Sequence, residues 1–342
     1  MESTRRTFLR TAGVAGVAIA AGLGRRGEAA EPKPRAAAAT GPMARDLTLC
    51  TLRGDAGPGL GVRTTKGVLD VARAARGRKL QVPATTDEVV RGAGLAGLRV
   101  LVAEAEAGRS TALIPEAQVR FGPALTRPEK ILCMGLNYRK HIAEVKAPMP
   151  TSPTFFSKFS NTLNHHGATV PLPTAVASHF DYEAELVVVV GRRMRDVPVA
   201  EALDHAWGYC TGNDFTARDL QMKTSQWLLG KTPDGFAPLG PWLVGADRVG
   251  DPQALTIECR VNGEVRQSSS TSDMIYGCAE LLAYASQHLT LEPGDLLFTG
   301  TPEGVIFGKP PERQVWLKPG DRLETEIEKL GLLAFDLGTR GA

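Results

Sequence analysis

Short strands dominate the hydrophobic pattern in the larger part of this chain. The strand candidates are apolar runs at residues 130–135, 186–190, 207–211, 256–261 and 265–267. Between the last two runs lies Asn262-Gly263, a dipeptide typical of a two-residue β-hairpin turn. Two Pro-Gly-Asp turns, at residues 293–295 and 319–321, precede further strand-like segments. This pattern predicts a predominantly β region.

Helical periodicity is confined to a few segments. Residues 273–288 repeat apolar side chains at helical spacing, and Thr271 or Ser272 is placed to cap that helix. Two shorter helix candidates, at residues 86–98 and 98–107, lie in the N-terminal part of the chain.

Together these elements predict an α+β fold. Many strands beside few helices indicate a predominantly β catalytic domain at residues 126–342, preceded by a small N-terminal α/β domain at residues 43–125. The length of 342 residues suits one large domain with a smaller partner.

Carboxylates stand at the ends of two predicted strands. Glu183 and Glu185 precede the run at 186–190, and in a strand they share a face about 7 Å apart. Asp214 follows the run at 207–211. Adjacent carboxylates repel unless a cation joins them, and a hard divalent cation prefers oxygen ligands. The pattern predicts a metal site, although three surface carboxylates at strand ends are the plainer alternative.

His141 and Glu144 form a second candidate group. They are three residues apart, so a helical turn would place them on one face. A carboxylate that orients an imidazole is the arrangement a general base needs. An exposed helical pair without a catalytic role is the alternative.

The composition is that of an ordinary globular protein, with 43% hydrophobic and 23% charged residues. The net charge of +3 is concentrated in the first 30 residues. The sequence has no basic run interleaved with aromatic residues, which is the pattern that would predict nucleic-acid binding. The five cysteines lack metal-type spacing and mostly lie in apolar runs, which predicts buried free thiols.

The first 42 residues are interpreted as a twin-arginine signal peptide and a disordered leader. Residues 4–10 match the twin-arginine motif, and the apolar stretch at 12–23 is too short for a stable membrane span. We therefore expect export to the bacterial periplasm or the extracellular space.

Six short blocks follow one another through the larger region. They are residues 135–141 (GLNYRKH), 181–186 (DYEAEL), 213–221 (NDFTARDLQ), 230–231 (GK), 238–242 (PLGPW) and 299–305 (TGTPEGV). In this order they resemble the fumarylacetoacetate hydrolase family, and the likeness covers roughly residues 128–338, nearly all of the larger region.

The resemblance implies a mixed β-sandwich roll, a homodimer, and Mg²⁺ or Mn²⁺ held by Glu183, Glu185 and Asp214. It implies His141, Glu144 and Lys231 as catalytic residues. Its substrate-binding candidates are Tyr138, Arg218, Gln221 and Thr301. Two alternatives stay open: Tyr138 as a plain buried aromatic residue, and Arg218 paired with Asp219 or Asp214. His165 and His166 are expected to be loop residues and not metal ligands.

The substrate implied is a small oxo acid. The leading hypothesis is a hydrolase that cleaves a C–C bond in an acylpyruvate- or fumarylpyruvate-like 2,4-dioxo acid through a metal-bound enolate. The same site also suits an isomerase, decarboxylase, hydratase or lyase acting on a related 2-oxo acid. A non-catalytic exported binder of oxo acids is the third hypothesis.

Overall fold

The computed structural model of the protein describes residues 42–54 and 57–339. Apart from Pro42, the predicted signal peptide and leader lie outside the described residues. Within the described part, no helix has both the length and the apolar character needed to cross a membrane.

Strands make up most of the regular structure. In chain order they are β1 Thr48–Gly54, β2 Gly57–Thr64, β3 Gly67–Asp70, β4 Leu113–Ile114, β5 Ile131–Gly135, β6 Thr154–Lys158, β7 Leu163–Asn164, β8 Thr169–Leu172, β9 Phe180–Asp181, β10 Ala184–Val190, β11 Ala206–Asn213, β12 Thr216–Ala217, β13 Ala237–Pro238, β14 Leu243–Gly245, β15 Thr256–Val261, β16 Glu264–Ser270, β17 Leu296–Phe298, β18 Arg322–Ile327 and β19 Gly331–Thr339.

The helices are short. The α-helices are α1 Val71–Ala75, α2 Thr86–Val90, α3 Leu95–Glu106, α4 Arg139–Val145, α5 Val199–Ala202, α6 Arg218–Gln221, α7 Leu228–Lys231, α8 Ala246–Val249 and α9 Cys278–His288. Single 3₁₀ turns cover Glu116–Gln118, Ser160–Thr162, Leu203–His205, Thr271–Asp273 and Pro311–Arg313.

Two main sheets carry the fold. The larger has ten strands in the order β4-β3-β2-β1-β14-β11-β10-β17-β5-β6, and the smaller has five in the order β16-β15-β18-β19-β8. Most neighbours are antiparallel, but β17 pairs with β5 and β19 pairs with β8 in parallel. The predicted α+β, predominantly β fold class is confirmed.

Strand β10 contributes to two hydrophobic cores. Leu186 and Val188 face one core together with residues of the smaller sheet and α9. Val187 and Val189 face a second core that includes the N-terminal helices. Because both faces of β10 are buried, its sequence is continuously apolar from Leu186 to Val190 and does not alternate with polar residues there.

The N-terminal region extends the larger sheet. Strand β1 pairs with β14, with Thr48 opposite Val244, and Leu98 and Leu101 of α3 pack in the second core. The boundary between residues 125 and 126 stays a prediction.

Two predicted helix bounds are wrong. Helix α9 begins at Cys278 and not at 273, because Asn137 holds the preceding backbone: its carbonyl accepts from Ile275 N–H at 2.6 Å and its Oδ1 accepts from Tyr276 N–H at 3.0 Å. The predicted helix over 86–98 is broken after Val90, where Gly92 and Gly94 have φ values of 83° and 60°.

The predicted hairpin and thiols are confirmed. Asn262 and Gly263, with φ values of 52° and 81°, connect β15 to β16 as a primed turn requires. All five cysteines are buried and free.

Candidate metal and active site

Three carboxylates lie together where β10 begins and β11 ends. These strands are antiparallel neighbours, with Glu185 opposite Gly212, so Asp214 comes to lie beside Glu183. One carboxylate oxygen from each of Glu183, Glu185 and Asp214 lies within 4.8 Å of the others, and all three side chains are buried. A hard cation with oxygen ligands suits this geometry.

Nearby cations balance much of the negative charge. The buried Lys158 ammonium donates to Oδ1 of Asp214. The Lys231 ammonium donates to Oε2 of Glu183 and, at 2.6 Å, to Oδ2 of Asp214. Burial acts to lower the pKa of Lys231, but Asp214 and Glu183 outweigh it and raise that pKa. The ammonium therefore stays charged at neutral pH.

Glu185 is the member of the triad that has no ion pair within the described residues. Its Oε2 accepts one hydrogen bond, from the Gly300 N–H at 2.8 Å. Burial, followed by the negative charges of Asp214 and Glu183, raises the pKa of Glu185 well above its usual value. The Lys231 charge acts in the opposite direction but does not offset these effects. A divalent cation would give this carboxylate the direct positive partner that it lacks among the described residues. Both the donor set and its charge fit Mg²⁺ or Mn²⁺.

Asp181 is a site residue that the sequence analysis missed. Its Oδ2 accepts from Nε of Arg218 at 2.9 Å. The same carboxylate also accepts the backbone N–H groups of Ile306 at 2.9 Å and Phe307 at 3.0 Å. Asp181 thereby ties the arginine to the loop beyond β17. The available signal was its position two residues before Glu183, on the same face of an extended segment.

Arg218 is held at the site by contacts to all three of its guanidinium nitrogens. Its Nη1 donates to Oε1 of Gln221 at 3.0 Å. Its Nη2 lies 2.7 Å from Oε1 of Glu183 as an ion pair. The alternative pairing of Arg218 with Asp214 or Asp219 is wrong, because the guanidinium pairs with Glu183 and Asp181.

His141 and Glu144 lie on one face of α4, as their spacing predicts. Nδ1 of His141 lies 3.1 Å from Oε2 of Glu144. An ionised carboxylate only accepts, so in the neutral ring Nδ1 is the nitrogen that carries the proton and Nε2 is the one with the lone pair. Oε1 of Glu144 accepts from the Gly304 N–H at 3.0 Å. A Cβ at residue 308 would lie 2.3 Å from Cδ of Glu144, so Gly308 leaves room for this carboxylate.

A cavity of about 330 Å³ brings most of the candidates together. Its lining includes His141, Glu183, Glu185, Asp214, Arg218, Gln221, Lys231 and Thr301. Tyr138 is not among the lining residues; it is fully buried in the hydrophobic core. The structure therefore does not bring Tyr138 together with the other predicted substrate-binding residues.

Gln267 is a second residue that the sequence analysis missed. Its Nε2 donates to Oγ1 of Thr301 at 2.9 Å, and its Oε1 accepts from the Ala184 N–H at 3.0 Å. Gln267 therefore fixes the Thr301 loop to the start of β10, next to the carboxylates.

Residues 130–337 match the sequence model described as "Fumarylacetoacetate (FAA) hydrolase C-terminal". The chain belongs to the fumarylacetoacetate hydrolase family. This family is enzymatic, and the family resemblance noted in the sequence is confirmed.

Relatives and solved structures agree with this membership. The rat mitochondrial oxaloacetate tautomerase Fahd2a is 45% identical over 223 residues, which are 65% of this chain and 70% of that protein. The human mitochondrial oxaloacetate tautomerase FAHD2A is 44% identical over 224 residues, again 65% of this chain and 70% of the relative. Maleylpyruvate hydrolase from Sphingobium sp. SYK-6, solved with manganese(II) and pyruvate, superposes with a TM-score of 0.69 at 28% identity, covering 86% of this chain and all of that one.

Proposed function

We propose that this protein is a divalent-cation-dependent enzyme that moves a proton at the carbon beside the oxo group of a 2-oxo acid, as a keto–enol tautomerase. The observation that carries the proposal is the shared cavity. It joins a buried carboxylate triad, with one negative charge left unpaired, to an imidazole oriented by a carboxylate. The tautomerase names of the 45% and 44% identical relatives support this choice of reaction.

Glu183, Glu185 and Asp214 would hold Mg²⁺ or Mn²⁺. When bound, such a cation supplies Lewis-acid polarisation of a substrate oxygen. The manganese and pyruvate in the related maleylpyruvate hydrolase are consistent with oxygen ligation of this kind.

His141 acts as the base. In the keto-to-enol direction its Nε2 lone pair takes a proton from the substrate carbon, which leaves an enolate, and the protonated ring then gives that proton to the enolate oxygen; the reverse direction moves it from oxygen back to carbon. Glu144 fixes the ring and stabilises its charged form. The Gly304 N–H donates to the Glu144 carboxylate, and Gly308 leaves the space that this carboxylate occupies. The imidazole base therefore keeps one orientation.

Cationic and polar groups in the same cavity bind the oxo acid. The guanidinium of Arg218 and the amide of Gln221 line this cavity and are suited to a substrate carboxylate. Lys231 and the Thr301 hydroxyl are placed for the negative charge that develops on the enolate oxygen.

Hydrolysis of a C–C bond in a 2,4-dioxo acid is the second candidate. The His141–Glu144 pair is suited to removing a proton from water as well as from carbon. The water oxygen would add to the distal ketone carbon. The C–C bond would then break, its electron pair would pass to the pyruvate fragment as an enolate, and that enolate would take up a proton. The structural likeness to maleylpyruvate hydrolase supports this candidate.

A panel of substrates with two readouts separates the hypotheses. Decay of enol absorbance on oxaloacetate reports tautomerisation, and pyruvate release from acetylpyruvate or fumarylpyruvate reports C–C hydrolysis. Each is measured with Mn²⁺ and with excess chelator. Tautomerisation that stops with chelator, and that falls about 10²-fold or more in His141→Asn, supports the proposal. Metal-dependent substrate binding with no turnover on any substrate would leave only the binder hypothesis.

Export by the twin-arginine route and assembly as a homodimer remain predictions from the sequence.

A further inference from the structure

A second cavity, of about 230 Å³, lies apart from the catalytic one. The segment at residues 304–309 contributes to both: Ile306 and Lys309 line the second cavity, whereas Phe307 lines the catalytic cavity. Among the described residues, none lines both. The second cavity is therefore a site separate from the carboxylate triad and from His141.

The lining of the second cavity carries an excess of positive charge. Its described carboxylate is that of Asp321. Arg266 forms an ion pair with Glu264, whose side chain is 69% exposed and lies outside the lining. The other three cationic side chains have no ion pair or hydrogen bond within the part of the chain that the structure describes. The four cations of the lining are Arg266, Lys309, Arg313 and Lys318.

Asp321 is engaged in holding two turns. Its Oδ1 accepts from Nδ2 of Asn262 at 3.0 Å, and its Oδ2 accepts from the Lys318 N–H at 2.8 Å. Even with this negative charge, cations outnumber carboxylates in the lining. Like charges that are held near one another repel, so an anion that enters the cavity is stabilised.

Apolar side chains line the same cavity. Val261, Ile306 and Leu317 are buried. The half-buried indole of Trp316 stacks on His179, with ring centroids 4.6 Å apart and an interplanar angle of 19°. Low-dielectric walls beside charges of one sign focus the electric field and concentrate counter-ions. The cavity therefore offers both positive charge and apolar contact to a ligand.

We propose that the second cavity is a binding site for a small anion that carries at least two negative charges on an apolar or aromatic body. A phosphate monoester and a dicarboxylate share this chemistry, because guanidinium and ammonium groups bind both. The volume of about 230 Å³ is below that of sites for drug-sized ligands and suits a single ring with its anionic group. The inference goes beyond the proposed function and does not depend on it.

Titration calorimetry on the metal-free full chain is the test, because a metal ion would itself bind the probes. Phenyl phosphate and phthalate carry one phosphate or two carboxylates on a ring, and inorganic phosphate lacks the ring. We expect saturable binding of at least one ring-bearing probe with a Kd below about 1 mM, and weaker binding of inorganic phosphate. The tighter ring-bearing probe identifies the site as one for phosphate esters or for dicarboxylates.

Two results of this titration would overturn the inference. One is the absence of saturable binding of both ring-bearing probes. The other is binding of inorganic phosphate as tight as that of the better ring-bearing probe, since the apolar lining would then contribute nothing.

Paired lysine variants make the test specific. Lys309→Gln combined with Lys318→Gln removes two cations of the lining, so we expect Kd to rise about tenfold or more. Lys66→Gln combined with Lys79→Gln is the matched control, because it removes the same charge from exposed lysines outside both cavities. Equal weakening in the two double variants would show attraction by net charge alone and reject the site.

Tryptophan fluorescence locates the bound probe. Trp316 lines the second cavity and Trp227 lines the catalytic one. We expect the fluorescence change on adding the tighter probe to be lost in Trp316→Phe and kept in Trp227→Phe. The reverse would place the anion in the catalytic cavity and overturn the inference. Neither measurement uses turnover, so failure of the proposed function and failure of this site are told apart.

Discussion

The Lys231 ammonium donates a hydrogen bond of 2.6 Å to Oδ2 of Asp214, one of the three carboxylates of the candidate metal site. It also donates to Glu183. A divalent cation bound by these carboxylates would meet a positive charge at close range, and like charges in a buried site repel strongly.

Replacing this lysine should tighten metal binding. In Lys231→Met the repulsion is removed, so we expect the Kd for Mn²⁺ measured by titration calorimetry to fall roughly tenfold, the direction that Coulomb's law requires. Turnover should fall at the same time, because the cation that stabilises developing charge is lost. Lys140→Met is the control, since the Lys140 side chain is 64% exposed and outside the cavity. Unchanged or weaker Mn²⁺ binding in Lys231→Met would contradict the expected repulsion between the Lys231 ammonium and the bound metal ion.

Glu185→Gln should separate metal binding from folding. The amide keeps an acceptor for the Gly300 N–H and removes a buried charge that has no ion pair among the described residues. We expect the metal-free variant to melt about 2–4 °C above the parent, because a buried unpaired charge is costly. The rise in Tm that Mn²⁺ produces in the parent should be lost. Glu312→Gln, at an exposed position, is the control. A variant that Mn²⁺ still stabilises as much as the parent would remove Glu185 from the site.

The triad was predictable because strand geometry is local. Glu183 and Glu185 share a face of an extended segment. The hydrophobic run at 186–190 that follows them marks a buried strand. Asp214 required one further step, the pairing of β10 with β11, and the family resemblance supplied it.

The surroundings of the triad were not predictable in the same way. The bond from Lys158 to Asp214 spans 56 residues and that from Gln267 to Thr301 spans 34, so no spacing rule reveals either one. The start of α9 depends likewise on Asn137, which lies far from it in sequence. Long-range polar contacts of this kind overrode the local helix pattern at 273–277.

Gly308→Ala should impair catalysis without removing any functional group. A Cβ at this position would lie 2.3 Å from Cδ of Glu144, so the carboxylate must move and His141 loses its orientation. We expect kcat to fall about tenfold or more with KM nearly unchanged, since general-base catalysis depends on this geometry.

Gly59→Ala is the matched control, because the nearest atom to a Cβ there is Leu52 Cβ at 3.9 Å. Both variants should bind Mn²⁺ with parental affinity. Loss of kcat in both alike would indicate a general effect of glycine replacement and not displacement of Glu144.

The contacts of His165 predict that the folded protein loses stability as the pH falls. Its Nε2 lies 2.9 Å from Nη1 of Arg53, and a guanidinium only donates, so Nε2 accepts and Nδ1–H donates to the His166 carbonyl at 2.9 Å. Burial first, and the Arg53 charge among the further causes, lowers the pKa of His165. A lowered folded-state pKa means that the neutral ring contributes stability above the unfolded pKa of about 6.5, and that this stability is lost as pH falls through the folded pKa.

His165→Gln cannot be protonated, so its Tm should fall less than that of the parent between pH 7 and pH 5, by about 1–3 °C. The measurement is thermal melting across this range, with His288→Gln as the control, because His288 ends α9 whereas Arg53 lies in β1 and contacts His165. The expectation that His165 is a loop residue and not a metal ligand makes a second demand: Mn²⁺ affinity must be unchanged in His165→Gln. Parallel acid melting curves for the parent and His165→Gln would show that the Arg53 contact does not hold the ring neutral.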